Sequence, residues 1–249
     1  MSFRGGGRDE RADVWHLHPK LQAGQTCTAH KFLEYGTYIV RESEYEEYVE
    51  ALKDYADHIK VQAVEDSQIC GLTEVNQWLI DNAPEDIIAI LDDDIHHFYY
   101  RMFDTVSLDD PATVTAELER MAQLMSDLGI GFGATDATIR PWNYDCEFSF
   151  KGAAGAIRWV NRRVFKAKCH KELEYNYDLD LVLQELLVNR VILKPKYFCS
   201  KGLTDTNAGG ASEKKRGDQV TSIDLMKQKW GKYYDFNEKN NTPYIRVKR

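Results

Sequence analysis

The sequence predicts an α/β fold with a mostly parallel central sheet flanked by helices. Three observations predict it. Runs rich in β-branched residues alternate with stretches of helical spacing between residues 36 and 135, the pattern of strands joined by helical crossovers. Ile87-Ile88-Ala89-Ile90-Leu91 is apolar throughout, as a strand covered on both faces must be. The chain has 249 residues, 43% of them hydrophobic, enough for a sizeable core.

Taken in order, residues 1–30 are polar, rich in Gly and Arg at first, and without period, so a loose N-terminal arm is expected. Gly36-Thr37-Tyr38-Ile39-Val40-Arg41 is the first strand. Ser43 with Glu46 three residues later reads as a capping box opening a helix through Tyr48, Leu52 and Tyr55. Ile59 to Val64 alternates like a second strand, and Thr73 is a candidate cap for a helix carrying Trp78, Leu79 and Ala83 on its inner face. Asp110-Pro111 starts a long helix with Val114, Leu118, Met121 and Met125 on one face, and Gly129 ends it. Gly131 to Thr135 and Ala156 to Asn161 read as strands, Leu181 to Val188 as a helix capped by Asp180, and Val191 to Leu193 as a strand. A long loop from Gly202 to Gly217, a helix from about Val220 to Trp230 and a strand from Tyr244 to Val247 complete the chain.

Charge is unevenly spread. Residues 1–150 carry 11 Lys and Arg against 29 Asp and Glu; residues 151–249 carry 21 against 11, within an overall net charge of −8. The positive half suits an anionic partner, and the same charges also suit a surface balanced within the folded chain. The five cysteines (27, 70, 146, 169, 199) form no C-x-x-C pair, so neither a disulfide framework nor a zinc knuckle is expected, and a reducing cytoplasm is. No secretory leader is read at the N-terminus, and no apolar run approaches the roughly 20 residues of a membrane span.

The chemistry concentrates where the apolar strand ends in Asp92-Asp93-Asp94. Adjacent carboxylates cannot be buried unpaired, which puts them at the mouth of the sheet, where open α/β sheets bind ligands. Asp92 and Asp94, two apart, face the same way in extended chain and suit a hard cation such as Mg²⁺ or Mn²⁺. A solvated turn is the plainer reading of the same residues. His96 is a further ligand candidate. Arg41 also stands at a strand end, where a guanidinium can clamp a diphosphate, or simply pair with Glu42 or Glu44. Arg158, Arg162, Arg163 and Lys166, interleaved with Trp159 and Phe165, suit a nucleic-acid backbone and an unstacked base; a solvated hairpin is the alternative. Arg140 and Trp142 lie on a loop that suits a lid or acceptor surface, and Lys214 to Arg216 in the long loop can close over a diphosphate.

Tyr38 to Glu44, Thr73 to Trp78, Ile90 to Ile95, Asp178 to Gln184 and Asn207-Ala208-Gly209-Gly210, in that order, resemble the TET-associated glycosyltransferases. That group includes the kinetoplastid base J glucosyltransferase and phage relatives acting on hydroxymethylated pyrimidines. The resemblance covers about residues 36 to 217. It departs from the family at Val75-Asn76, where a basic residue is common, and at Tyr177-Asp178, where Glu-Asp is common. It implies a GT-A-like fold over residues 31–249, with a donor and metal half at 31–135 and a basic acceptor half at 136–249. It further implies a UDP-sugar donor beside Arg41, Glu42, Asp92, Asp93, Lys214 and Arg216, and a metal on Asp92 and Asp94. Asp178 becomes the candidate general base, and the acceptor a hydroxymethylated pyrimidine in DNA. A protein, glycan or lipid acceptor, or a degenerate nucleic-acid-binding member, are the competing readings.

Overall fold

The computed structural model describes residues 14–17, 27–136, 138–202, 216–239 and 242–247. Its strands and helices, in chain order, are β1 (Val14–Leu17), β2 (Gly36–Arg41), α1 (Tyr45–Ala51), β3 (Ile59–Val64), α2 (Leu72–Asn82), β4 (Ile87–Asp92), β5 (Ile95–Arg101) and β6 (Thr105–Leu108). There follow α3 (Pro111–Leu128), β7 (Phe132–Ala134), β8 (Phe148–Ser149), β9 (Ile157–Asn161) and α4 (Tyr177–Val188). The last are β10 (Lys194–Pro195), β11 (Phe198–Gly202), α5 (Arg216–Trp230), β12 (Tyr234–Asn237) and β13 (Thr242–Ile245).

Among the described residues the main sheet has the order β3-β2-β1-β4-β9-β7. The first four strands are mutually parallel, and β9 runs antiparallel to both β4 and β7. The sheet is therefore mixed: three of its five strand pairings are parallel, and the two made by β9 are antiparallel. A parallel neighbour needs a long crossover, usually helical. Residues 135–156, between β7 and β9, contain no α-helix, and the strands pair antiparallel. Three small antiparallel sheets, β11-β5-β6, β8-β10 and β12-β13, lie outside it.

Alternation along β4 explains its apolar run. Ile88 and Ile90 pack with Val75, Leu79, Val182 and Leu186 of α2 and α4, while Ala89 and Leu91 pack with Leu118, Met121 and Met125 of α3. All four β4 residues are at most 1% exposed. Helix α3 begins as its sequence says: the Asp110 carboxylate accepts the Thr113 N–H, Pro111 follows, and Gly129 closes the helix in the left-handed conformation at φ 62°. No described helix is long and apolar enough to cross a membrane.

Several expectations are corrected. The stretch expected to be a loose arm contains β1, a central strand paired on both sides. Four residues are too few to show a period. Ser43 caps nothing: its N–H donates to Asp66, and α1 starts after Glu44. Gly71, not Thr73, precedes α2, and Thr73 is buried as its second residue. His96 to Arg101 lie within β5, whose partners β6 and β11 went unread in the sequence. Trp159 and Phe165 do not stack on anything outside the molecule. Trp159 is fully buried and donates Nε1–H to the Leu118 carbonyl, and Phe165 packs on Phe132.

Candidate active site

Strand β4 delivers Asp92 to the carboxyl edge of the sheet, and the chain turns at Asp93-Asp94 before leaving as β5. Because this is a turn, the same-face argument for two aspartates in extended chain does not apply. The three carboxylates have separate surroundings. Asp93 faces inward, 6% exposed. Burial pushes its carboxyl well above the usual range, Cys27 Sγ donates to it at 3.3 Å, and its carbonyl accepts the N–H groups of Thr28 and Ala29. Asp93 is thus a buried anchor, withdrawn from the donor-binding role expected of it. Asp94 is half-buried against Gly202 of β11.

Asp92, with 39% of its side chain exposed, accepts a hydrogen bond from Arg158 Nη2 at 2.7 Å. Arg158 comes from β9, level with Ile90, and is 4% exposed, so it cannot grip a DNA backbone. Its guanidinium lies 5.5 Å from the Tyr177 ring centroid. Asp178, in the first turn of α4 and not just outside it, belongs to the same cluster. Burial raises its carboxyl above the usual range, the Arg158 charge opposes that rise, and the Asp92 charge adds to it. The structure therefore joins Asp92, Arg158 and Tyr177 at one edge of the sheet, and Asp178 follows Tyr177 in the first turn of α4. Arg41 and Glu42 reach the same edge from β2, since Leu17 of β1 is level with both Ile39 and Asp92. Arg41 is paired with Glu44 at 2.8 Å, and Glu42 is exposed.

Arg162 of the expected DNA-binding run is likewise committed to the fold. Arg162 donates to the carbonyls of Ile80, Asp81, Ala83 and Glu85, closing the C-terminal end of α2. Arg163 pairs with Asp86 at the surface. Lys166 is exposed, and its backbone N–H is fixed by the buried carboxylate of Glu185. Asp180 does not cap its own helix; it accepts from Gln184, Lys229 and Trp230 and ties α5 to α4. Lys214 lies outside the described residues, and Arg216 enters only as the first backbone position of α5.

Arg140 and Trp142 keep an outward position. Trp142 is 74% exposed, with the Arg140 guanidinium 5.5 Å from its ring centroid. Trp142 stands on a groove of about 730 Å³ whose other walls include Asp136, Asp145, Lys151, Gly152, Lys194 and Lys196. Ala156, four residues beyond Gly152, accepts the Asp92 N–H at 3.0 Å, so one short segment joins groove and aspartate. Lys194 pairs with Asp136 at 2.7 Å, and Lys196 pairs with Asp145.

Sequence reasoning missed Tyr177 and the inward role of Arg158. The signal was there: an arginine between Ile157 and Trp159, inside a short apolar strand, must be paired if it is buried.

No family model matches the sequence, and no curated protein matches it. Solved structures with a similar fold include glucosyl-3-phosphoglycerate synthase from Mycobacterium tuberculosis in complex with Mg²⁺ and UDP, at 11% identity and a TM-score of 0.47, covering 94% of this chain and 87% of that one. UDP-glucose pyrophosphorylase complexed with UDP-glucose is similar at 11% identity and a TM-score of 0.43, covering 87% of this chain and 99% of that one.

Proposed function

We propose that this chain is a metal-dependent glycosyltransferase that takes a sugar from a UDP-sugar. The observation that carries the reading is the convergence of Asp92, Arg158 and Asp178 at the carboxyl edge of the sheet, where open α/β folds hold ligands. Among the described residues no cluster of three or more metal-ligating side chains occurs. Two carboxylates still fit Mg²⁺ or Mn²⁺, which keep several waters and take further oxygens from substrate phosphates. Asp92 retains one oxygen beyond its bond to Arg158, and Asp94 stands across the turn. Asp92 and Asp94 would hold such a cation, which would supply positive charge for the departing nucleoside diphosphate. Asp178 takes the proton from the acceptor hydroxyl; a carboxylate whose proton affinity is raised by burial is a stronger base than a solvated one. Arg41 and Glu42 border the donor.

For the acceptor, the resemblance favours a hydroxymethylated pyrimidine in DNA, in a cytoplasmic setting. Trp142 with Arg140 supports it as a stacking platform beside the groove. Arg158 and Arg162 lend no support, because Asp92 and the carbonyls at the end of α2 engage their charges. A second reading, a neutral glycan acceptor, rests on the groove itself: the charges of Lys194 and Lys196 are each matched by an aspartate.

The test is mass spectrometry of hydroxymethylated DNA, unmodified DNA and a set of oligosaccharides after incubation with the protein, Mg²⁺ or Mn²⁺ and a panel of sugar nucleotides. A hexose or pentose mass gained only by hydroxymethylated DNA supports the leading reading. Transfer to an oligosaccharide instead selects the second. Failure to bind any sugar nucleotide with either metal overturns both.

A further inference from the structure

The groove on which Trp142 stands holds more positive charge than its own carboxylates balance. Asp136 follows β7 at the same edge of the sheet as Asp92, and it is claimed twice. Its Oδ2 accepts from Arg101 Nη2 at 2.8 Å, and its Oδ1 pairs with Lys194 Nζ at 2.7 Å. The Arg101 side chain is fully buried and that of Lys194 is 4% exposed. Pair by pair, Lys194 and Lys196 each have an aspartate, but Asp136 cannot be counted for two cations. One buried positive charge is left over among these three groups, and buried charge is stable only where opposite charge meets it. Burial pulls the Lys194 pKa below the ordinary lysine range even with Asp136 beside it. Lys196 adds a further charge, and its partner Asp145 has 74% of its side chain exposed, which weakens that pair.

The backbone leaves Lys194 uncovered. Its ammonium has three N–H groups, and the Ala153 carbonyl and Asp136 accept two of them. Gly152 stands over the same nitrogen: at φ 111° it has a conformation that side chains rarely adopt, and a Cβ there would lie 3.3 Å from Nζ. Three residues on, a Cβ at Gly155 would lie 2.8 Å from the carbonyl oxygens of Thr135 and Asp136, and Ala156 accepts the Asp92 N–H. One run of small residues thus ties the cationic groove to the strand end that carries Asp92.

We propose that this groove is a phosphate subsite for a nucleotide: Lys194 and Lys196 take one phosphate of a strand, and the base beside it stacks on Trp142. Unbalanced cations suit an oxyanion, an exposed indole suits a planar base, and a nucleotide strand presents the two side by side. Trp142 is 74% exposed, and the Arg140 guanidinium at 5.5 Å from its ring centroid adds positive charge at the rim. The phosphate supplies the counter-charge that Arg101 and Lys194 lack between them. Asp145 opposes it from the rim, where water and salt screen the carboxylate. Calling the nucleotide an acceptor rests on the glycosyltransferase reading; the binding itself does not.

The test is binding of a short labelled single-stranded oligonucleotide, of the same strand with an uncharged methylphosphonate backbone, and of a hexose phosphate. The phosphodiester strand is expected to bind, and the methylphosphonate strand at least about tenfold more weakly. Lys194→Met leaves Arg101 and Asp136 as a matched pair, so the variant is expected to fold. It should lose at least about tenfold in affinity and about one unit of the log–log salt slope. Trp142→Ala should lose about fivefold or more, and Asp145→Asn, at an exposed site, should tighten binding about two- to fivefold. Equal binding of the two backbones, or unchanged affinity in Lys194→Met, overturns the proposal. Should Lys194→Met not fold, Asp145→Asn decides, and no gain in affinity overturns it. Unchanged affinity in Trp142→Ala overturns the stack, and capture of the hexose phosphate without the strand overturns the nucleotide. No sugar nucleotide enters these measurements: the strand can bind while no sugar is transferred, and sugar can reach another acceptor while the strand fails to bind.

Discussion

Gly202 leaves little room for a side chain beside Asp94: a Cβ there would lie 3.0 Å from Oδ1 and 3.5 Å from Oδ2. The strand β11 that carries Gly202 thereby walls the second aspartate of the site. A single methyl group pushes the carboxylate aside without touching the core. Gly202→Ala is expected to keep the melting temperature and lose turnover on the order of 10- to 100-fold, the usual penalty for a small misplacement of a reacting group. Steady-state kinetics beside circular dichroism check it; full turnover would detach Asp94 from the chemistry.

Asp94 itself is half-buried at the turn, whereas Asp92 makes the pair with Arg158. Asp94→Ala is expected to weaken UDP binding in the presence of Mg²⁺ by at least about tenfold, or about 1.4 kcal/mol. UDP binding in EDTA should barely change. Calorimetric titration with and without the metal separates the two, and equal losses under both conditions would leave the metal without its ligand.

Asp178→Asn removes the proton acceptor and keeps the volume. Its expected cost is about 10²- to 10⁴-fold in kcat, with donor affinity retained. The pH profile carries a sign. Burial holds the Asp178 carboxyl above the ordinary carboxylate range, and a base works only when ionised. Activity therefore falls on the acid side at a pH higher than a solvated aspartate would give. The residual activity of the variant should lack that limb. A profile that keeps it assigns the base to another group.

The fold was legible where local pattern and burial agree. Strand β4 announced itself because both its faces are covered, and α3 because its cap, its proline and its closing glycine are all local signals. β1 and β11 were not legible: each is short, and what makes them strands is the neighbour they pair with. The site was half legible for the same reason. Asp92 and Asp178 could be proposed as candidates from their positions. The basic run could not be interpreted, because the partners of Arg158 and Arg162 lie 66 to 82 residues away in the chain.

Arg162 turns that misreading into a prediction. Four carbonyls converge on its guanidinium at the end of α2, among them Ile80 at 2.6 Å and Asp81 at 2.9 Å. Hydrogen bonds to a charged group contribute about 1.5–3 kcal/mol each, and several are lost together. Arg162→Met should lower unfolding free energy by about 3 kcal/mol or more in urea titrations. A stability within about 0.5 kcal/mol of the parent, the range of ordinary surface changes, would return Arg162 to the pool of residues free to meet a ligand.

His30 gives the fold an acid limit near the site. The ring is 4% exposed, 4.5 Å from the Tyr55 ring centroid, and its Nδ1 lies 3.1 Å from the Tyr38 hydroxyl. Burial, with lesser help from Lys31 and His58, lowers its pKa from 6.5 to about 4. The sign follows from which state binds protons. Above pH 6.5 both folded and unfolded chains hold neutral imidazole, and the stability is complete. As pH falls from 6.5 towards 4 the unfolded chain takes up a proton that the folded one refuses, so stability declines; below about 4 both are charged and the decline from this group stops. Each tenfold difference in proton affinity is worth about 1.4 kcal/mol, so the window costs about 3 kcal/mol in all. His30→Gln removes the titration and leaves a partner for Tyr38. Urea unfolding at several pH values from neutral down to about 4 should show a stability difference between parent and variant that shrinks, or reverses in favour of the variant, as the solution is acidified. Parallel curves over that interval would mean that the imidazole takes up its proton as readily in the folded chain as in the unfolded one.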